Sequence, residues 1–574
     1  MTRVPPNWPA MSLAEAHQRL TAPGAPFEMA EAMVDGHPMR VWKNAPPTLR
    51  EAFLAGQAHG DRIFLVYEDE RISFDAFARA TLTLARWLAE QGVRKGDRVA
   101  VLMRNVPEWP VVFFAAVLNG AVAAPLNAWW NGEELRYGLA DSGAKILFVD
   151  GERYERVEPF LCELPALEKV VTTRLEGREA PQTTALQAII GAPGDWAALP
   201  LLAAPALALS PDDPASIMYT SGTTGASKGA VQSHRNSVCG VLSTQFAVAR
   251  NFLRRGAPIP PRDPTKMRAQ LVGVPFFHTI GAHSNLVPSL VNGIKLVMMH
   301  RFDATRALEL IERERITSAG GVPTIAWAIV EHPDRAKYDL SSLELINYGG
   351  APAASDLVRR IDEGFEKAMP GIGWGMTETT ATFTAHSAED YITHPESAGP
   401  PLPICDMKIA GDDGVALPQG AVGELWVYGP NVVSHYWNKP EANAQTFVDG
   451  WMKTGDVARV DADGFLYIVD RKKDMVIRGG ENIYCIEVED ALFKHPAVLD
   501  VAVLGLPHRT LGEEPVAVVR LRAGFTATED ELRLFVRDQL AAFKVPVRIA
   551  FTGDDLPRNA TGKLLKPQLR ALFG

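Results

Sequence analysis

Cysteine is scarce in this sequence: Cys162, Cys239, Cys405 and Cys485 lie far apart and form no CxxC pair. That spacing excludes a disulfide framework and a cysteine zinc site, and it fits a reducing compartment. Long hydrophobic runs are missing as well. The most apolar stretch, Val111 to Pro125, is broken by Asn119 and Gly120, whereas a bilayer span takes about 20 residues. Met1 to Ala10 holds three prolines and no apolar segment of a secretory leader. There is no excess of positive charge: the formal net charge is −10, which argues against a non-specific nucleic-acid binder. The expectation is a cytoplasmic protein with no transmembrane segment. Peripheral membrane contact and homodimerisation stay open.

What is present is an ordinary globular composition, 47% hydrophobic and 22% charged, so disorder is not the default reading. With 574 residues the chain is too long for one core, and about 150 residues per unit gives three or four folding units. Ser12 followed by Glu15 reads as a capping box in an accessory segment, residues 1–50. From Asp61 strand-like and helix-like stretches alternate. Arg62 to Tyr67 is a strand, Ser73 caps a helix bearing Phe74, Phe77, Leu84 and Leu88, Arg98 to Met103 is a strand, and Pro107 to Gly120 is a buried helix. Such alternation implies an α/β fold with partly parallel sheets. Residues 250–268 carry Arg250, Arg254, Arg255, Arg262, Lys266 and Arg268 among four prolines. They read as a loop, either a solvated basic one or an approach surface for anionic partners such as phosphate groups or lipid headgroups. The last hundred residues have a compact α+β pattern behind a charged boundary, Asp470 to Asp474. The expected division is a large multi-layer N-terminal α/β domain, 1–470, and a small C-terminal α+β lid, 471–574, hinged at 471–474.

The segment with the clearest chemistry is Tyr219-Thr220-Ser221-Gly222-Thr223-Thr224-Gly225-Ala226-Ser227-Lys228-Gly229. Its glycines let backbone N–H groups close on an anion, and its hydroxyls and Lys228 add donors and charge. That suits a polyphosphate. It is not a Walker loop, in which the lysine is followed by Ser or Thr. The competing reading is a flexible polar turn.

On these residues the sequence resembles the acyl-adenylate-forming superfamily of acyl-CoA synthetases, luciferases and peptide-synthetase adenylation domains, and further motifs follow in that family's order. The resemblance implies the fold above with a mobile lid, ATP, Mg²⁺ and CoA as cofactor and cosubstrates, and a small-molecule carboxylic acid as substrate. It assigns Thr220, Ser221, Gly222, Thr223, Thr224, Gly225 and Lys228 to ATP phosphates, and Gly349, Gly350, Ala351 and Pro352 to adenine. Within Trp374-Gly375-Met376-Thr377-Glu378 it gives Thr377 the α-phosphate and Glu378 the metal; a hard cation on phosphate oxygens wants a carboxylate. Trp374 stands where the family usually has Tyr, and Ser227 where it commonly has Pro. Asp456 resembles the ribose carboxylate and Arg471 the arginine that reaches ribose and phosphates. Lys473 falls at the hinge, and Gly479, Gly480 and Glu481 at the pantetheine path of CoA. Lys563 falls at the catalytic lysine that stabilises charge as the carboxylate attacks.

Val274 to Asn285 resembles the segment lining the acyl pocket, which assigns Phe277, His278 and Ala282 to it. No acidic residue occurs there to pair an amino acid's ammonium, and an unpaired buried ammonium is costly. Hydrophobic acids, medium- or long-chain or bulky, are therefore expected. Ala282 matches a Trp gate of some fatty-acid members and leaves room; His278 either orients the carboxylate or is a wall residue. Transfer to a carrier-protein thiol, an aromatic-acid CoA ligase and a nucleotide sensor without activity are the rival readings.

Overall fold

The computed structural model describes residues 3–220, 227–261, 263, 266–479, 481–559 and 563–573. Most of the larger N-terminal part is two mainly parallel sheets. One has seven strands centred on Arg98–Leu102, flanked in parallel by Val122–Pro125 and Ile146–Asp150. The other has eight, with Leu345–Gly349 and Met369–Gly373 paired in parallel. Central strands of this kind are buried on both faces and read as apolar runs. Between them lies the helix Glu108–Leu118, every residue of which is buried. Its phenylalanines join Phe53, Phe64 and Phe77 in one aromatic core. The Ser73 cap is present, its side chain accepting from the Ala76 amide. A five-stranded, mainly antiparallel sheet built on Trp451–Val460 closes this part.

The C-terminal part is a separate five-stranded sheet, including Val498–His508, Gly512–Leu521 and Arg548–Thr552, packed with the helices Cys485–Phe493 and Glu529–Arg537 on a core of its own. The fold is thus α/β with a smaller α+β C-terminal portion. No described helix is long and apolar enough to cross a membrane.

The Ser12–Glu15 capping box is present, and one expectation, that for residues 250–268, needs correction. The first fifty residues include a hairpin, Met29–Val34 with His37–Trp42, and Phe27 and Trp42 pack on Phe246 of the neighbouring helix. The segment 250–268 is not all loop: the helix His234–Arg254 runs into it, because its first proline comes only at Pro258. Arg250 and Arg254 are buried. Arg254 pairs with Asp390 at 2.7 Å and Arg255 pairs with Glu389. Arg262 lies outside the described residues. Arg250 and Arg254 are therefore neither a solvated face nor a surface for anionic partners.

Candidate active site

The strands Pro214–Tyr219 and Gly229–Ser233 pair antiparallel and carry the glycine-rich segment between them. Its base is fastened twice: Thr220 N donates to the Lys228 carbonyl at 2.9 Å, and Lys228 N donates to Thr220 Oγ1 at 3.1 Å. Tyr137 Oη donates to the Ser227 carbonyl at 2.9 Å. Ser221, Gly222, Thr223, Thr224 and Gly225 lie outside the described residues.

Thr220 and Lys228 open onto a cavity of about 990 Å³ that Gly349, Gly350, Gly375, Met376, Thr377, Glu378, Arg471, Lys473 and Lys563 also line. Gly350 has φ +77°, a left-handed turn that favours glycine. A relay holds Thr377: Ser216 Oγ donates to Gln232 Oε1 at 3.0 Å, and Gln232 Nε2 donates to the Thr377 carbonyl at 3.1 Å. Glu378 is buried but on the cavity. Tyr436 Oη donates to Glu378 Oε1 at 2.7 Å, and the Lys228 ammonium sits 4.9 Å from the centre of the Tyr436 ring. Tyr436 thus holds the carboxylate and touches the phosphate-loop lysine, a role sequence reasoning missed. The signal available was its place in Tyr436-Trp437-Asn438-Lys439-Pro440, a segment left without assignment. The second Glu378 oxygen accepts no hydrogen bond among the described residues, so it would be free to serve as an oxygen ligand to a magnesium ion.

Ala351, Pro352, Trp374 and Asp456 are not on the cavity wall. Trp374 Nε1 donates to Asp456 Oδ2 at 3.0 Å, and Arg471 Nε stands 3.1 Å from Oδ1. Asp456 is buried. Burial pushes its carboxyl upward, and Arg471 and the Trp374 hydrogen bond oppose that. The indole therefore supplies a hydrogen bond to the carboxylate in place of a phenol.

Lys563 reaches the cavity from the C-terminal part. Its loop closes on itself through Asn559 N to the Lys563 carbonyl, 2.9 Å, and Lys563 N to Asn559 Oδ1, 3.0 Å. Arg558 ties that loop to Asp500 at 2.8 and 2.9 Å. Burial, then Arg471 and Lys473, push the Lys563 ammonium down to about 8. Gly479, with φ +61°, starts the turn between the paired strands Val476–Arg478 and Glu481–Ile483. Gly479 and Glu481 are exposed and away from the cavity; Gly480 lies outside the described residues.

In the acyl segment only His278, Thr279, Ile280, Ser284 and Asn285 line the cavity. Phe277 and Ala282, expected there, do not. Phe277 is buried edge-on to Trp129 at 6.1 Å. Ala282 turns into the core because Ile280–Leu286 is a π-helical turn, which rotates side chains out of the α period. His278 is held neutral by burial, which pushes it down to about 4, and its Nε2 has no partner among the described residues.

The cavity thus gathers Lys228, a carboxylate held by Tyr436 and a lysine from the C-terminal part, and the comparisons place the chain in a family. Residues 53–437 match the AMP-binding enzyme family model and residues 487–563 its C-terminal domain, so the chain belongs to the AMP-binding enzyme family. It is 37% identical over 512 residues to a feruloyl-CoA synthase of Amycolatopsis, covering 88% of this chain and 94% of that one. Among solved structures it resembles an anthranilate CoA ligase in complex with anthranoyl-AMP, at TM-score 0.80 and 26% identity over 91% of this chain and 96% of that chain. It also resembles an o-succinylbenzoate CoA synthetase from Bacillus subtilis in complex with ATP and magnesium, at TM-score 0.72 and 31% identity over 90% and 99%.

Proposed function

We propose that this chain is an ATP-dependent acyl-CoA synthetase for hydrophobic carboxylic acids, medium- or long-chain or bulky, aromatic acids included. The observation that carries the reading is the meeting of Lys228, Thr377, Glu378 and Lys563 on one cavity. Acids are activated in relatives of this sort, whose names specify feruloyl, anthranilate and o-succinylbenzoate as substrates.

In the first half-reaction a carboxylate oxygen attacks the α-phosphorus of ATP, the Pα–O–Pβ bond breaks and pyrophosphate leaves. Lys228 and the loop around it bind the phosphates, Thr377 orients the α-phosphate, and Lys563 sets positive charge where negative charge gathers. Glu378 would hold a magnesium ion, which would supply charge neutralisation at the phosphates. Neutral His278 is placed to donate a hydrogen bond to the acid. In the second half-reaction the CoA sulfur attacks the acyl carbonyl and AMP leaves. The Gly479–Glu481 turn is assigned to the pantetheine path. It stands away from the cavity while Lys563 is on it, which supports rotation of the C-terminal part about Lys473 between the two steps, a motion of μs–ms order. That rotation would break the ion pair of Arg522 with Glu331, 2.6 Å, between the two parts.

The test is acid-dependent ATP–pyrophosphate exchange across a panel of acids, followed by detection of acyl-CoA with CoA as sole acceptor. Exchange without acyl-CoA would transfer the reading to a carrier-protein thiol. Preference for acetate or an amino acid would overturn the substrate class.

A further inference from the structure

Away from the phosphates the cavity wall is not the apolar lining that a plain fatty acid would want. One side is a face of the helix His234–Arg254 carried into its cap, with Thr244, Ala247, Val248, Asn251, Phe252 and Arg255 on the cavity. Their spacing puts them on one helical stripe about 16 Å long. The facing side is made of strands. Gly349 pairs with Gly373 at the nucleotide end, and Ser387 pairs with Gly371, about 7 Å further back along the same strand. Ser387 and Asn347 flank Gly371 closely: a Cβ built on that glycine would stand 2.8 Å from Asn347 Oδ1 and 3.3 Å from Ser387 Cβ. Asn251 Nδ2 donates to Ser387 Oγ at 2.8 Å.

The other end of the Asn251 amide is unanswered. The residue is only 7% exposed, it lines the cavity, and its Oδ1 accepts no hydrogen bond among the described residues. Turning the amide over does not help, since one end bonds Ser387 and the other is left over. A buried amide oxygen without a donor is destabilising unless a ligand or water supplies one. Two neighbouring arginines are engaged by carboxylates, Arg254 with Asp390 and Arg255 with Glu389, and Arg250 donates to the Ala385 carbonyl. Arg255, Arg268, Glu344 and Lys367 also line the cavity, but the Asn251–Ser387 pair itself is neutral and able both to donate and to accept.

We propose that the acid activated in this site carries a hydroxyl on the half of its body remote from the carboxylate, and that Asn251 and Ser387 receive it, the hydroxyl donating to Asn251 Oδ1 and accepting from Ser387 Oγ. This rests on the reading of the cavity as an acid-activating site and narrows its substrate class from hydrophobic to amphiphilic acids. The intervening wall, Val248, Phe252, Ile280 and Leu345, covers the apolar body.

The experiment is ATP–pyrophosphate exchange with matched pairs: 3-phenylpropanoate against 3-(4-hydroxyphenyl)propanoate, and decanoate against 10-hydroxydecanoate. The hydroxylated member of at least one pair should be favoured by about tenfold or more in kcat/KM, since a site built to bond a hydroxyl rejects the analogue without one. Asn251→Leu should bring that ratio to about one while the deoxy acid keeps its rate within about threefold. Ser387→Ala, which removes one partner from a less buried position, should lower the ratio in the same direction and carries the test if Asn251→Leu does not fold. Preference of the wild type for the deoxy member in both pairs overturns the inference and leaves acid activation intact. So does a hydroxyl preference untouched by both variants. Absence of exchange with every acid overturns the parent reading and this inference together.

Discussion

The two ends of the cavity draw on the same residue types and turn them in opposite directions. At the nucleotide end Lys228, Glu378, Arg471 and Lys563 bring their charges onto the cavity. Behind the end proposed for the acyl group Arg254 and Asp390 point at each other, with side chains only 5% and 0% exposed, while Arg255, Arg268, Glu344 and Lys367 share the wall there with amide, hydroxyl and hydrocarbon groups. Charge on the surface of a cavity is available to a reaction. Charge locked behind its wall holds the wall up. The same arginine side chain is thus chemical machinery in one place and scaffold in the other, and burial with partner decides which.

Removing each kind of charge should break different things. The largest effect is expected from Arg254→Ser, which leaves Asp390 buried without its cation. It should cost about 3–5 kcal/mol of stability, read by urea unfolding, while binding to anionic vesicles stays unchanged; weakened vesicle binding with normal stability would reverse the assignment. Lys563→Ala should lower pyrophosphate exchange by about 10²–10³-fold with no change in the urea midpoint, and the variant should still convert supplied acyl-AMP and CoA to thioester. Equal loss of both half-reactions in a folded protein would rule out alternation of the C-terminal part. Tyr436→Phe removes the hydrogen bond that aims Glu378 and should raise the Mg²⁺ concentration for half-maximal exchange by about 10-fold; an unchanged magnesium requirement would separate Tyr436 from the metal.

The smallest effect is one of pH. Lys563 has its ammonium pushed down to about 8, and only the protonated form supplies charge. The kcat/KM for exchange should therefore hold below pH 8 and fall about tenfold per unit well above it, whereas thioester formation from supplied acyl-AMP should lack that limb. A flat exchange profile to pH 9.5 would place another group in the role.

The residues proposed for the nucleotide could be picked from the sequence because the demands of phosphate binding are local. Binding a phosphate with backbone takes consecutive small residues, so Thr220 and Lys228 stand eight apart in the sequence, Gly349 ends a strand with Gly350 next to it, and Thr377 and Glu378 are adjacent in a short 3-10 helix. The acyl end was not legible. Its wall takes alternate turns of one helix and the edges of several strands, so Asn251, Asn347 and Ser387 share no local pattern. Ala282 was misplaced because a π-helical turn cannot be read from spacing, Phe277 because its ring packs on Trp129 instead, and Tyr436 was missed because its partner Glu378 is 58 residues away. In the fold, the alternation from Asp61 onward and the α+β character of the last hundred residues were visible as periodicity. The basic segment was misjudged because counting arginines says nothing of where each one points.

Arg254 also ties together stretches of chain made at very different times. It donates to the Met11 carbonyl at 2.8 Å, lies 5.2 Å from the centre of the Trp8 ring, and completes its charge pair only with Asp390. On a ribosome Met11 emerges first and Asp390 roughly 380 residues later, about 20–75 s at ordinary elongation rates. Until then the arginine that anchors the N-terminal segment has no counter-ion, and burying it alone is unfavourable. Docking of Trp8 and Met11 on Arg254 is therefore favoured only once Asp390 is in place, which makes it a late step of assembly although those residues precede Asp390 by most of the chain.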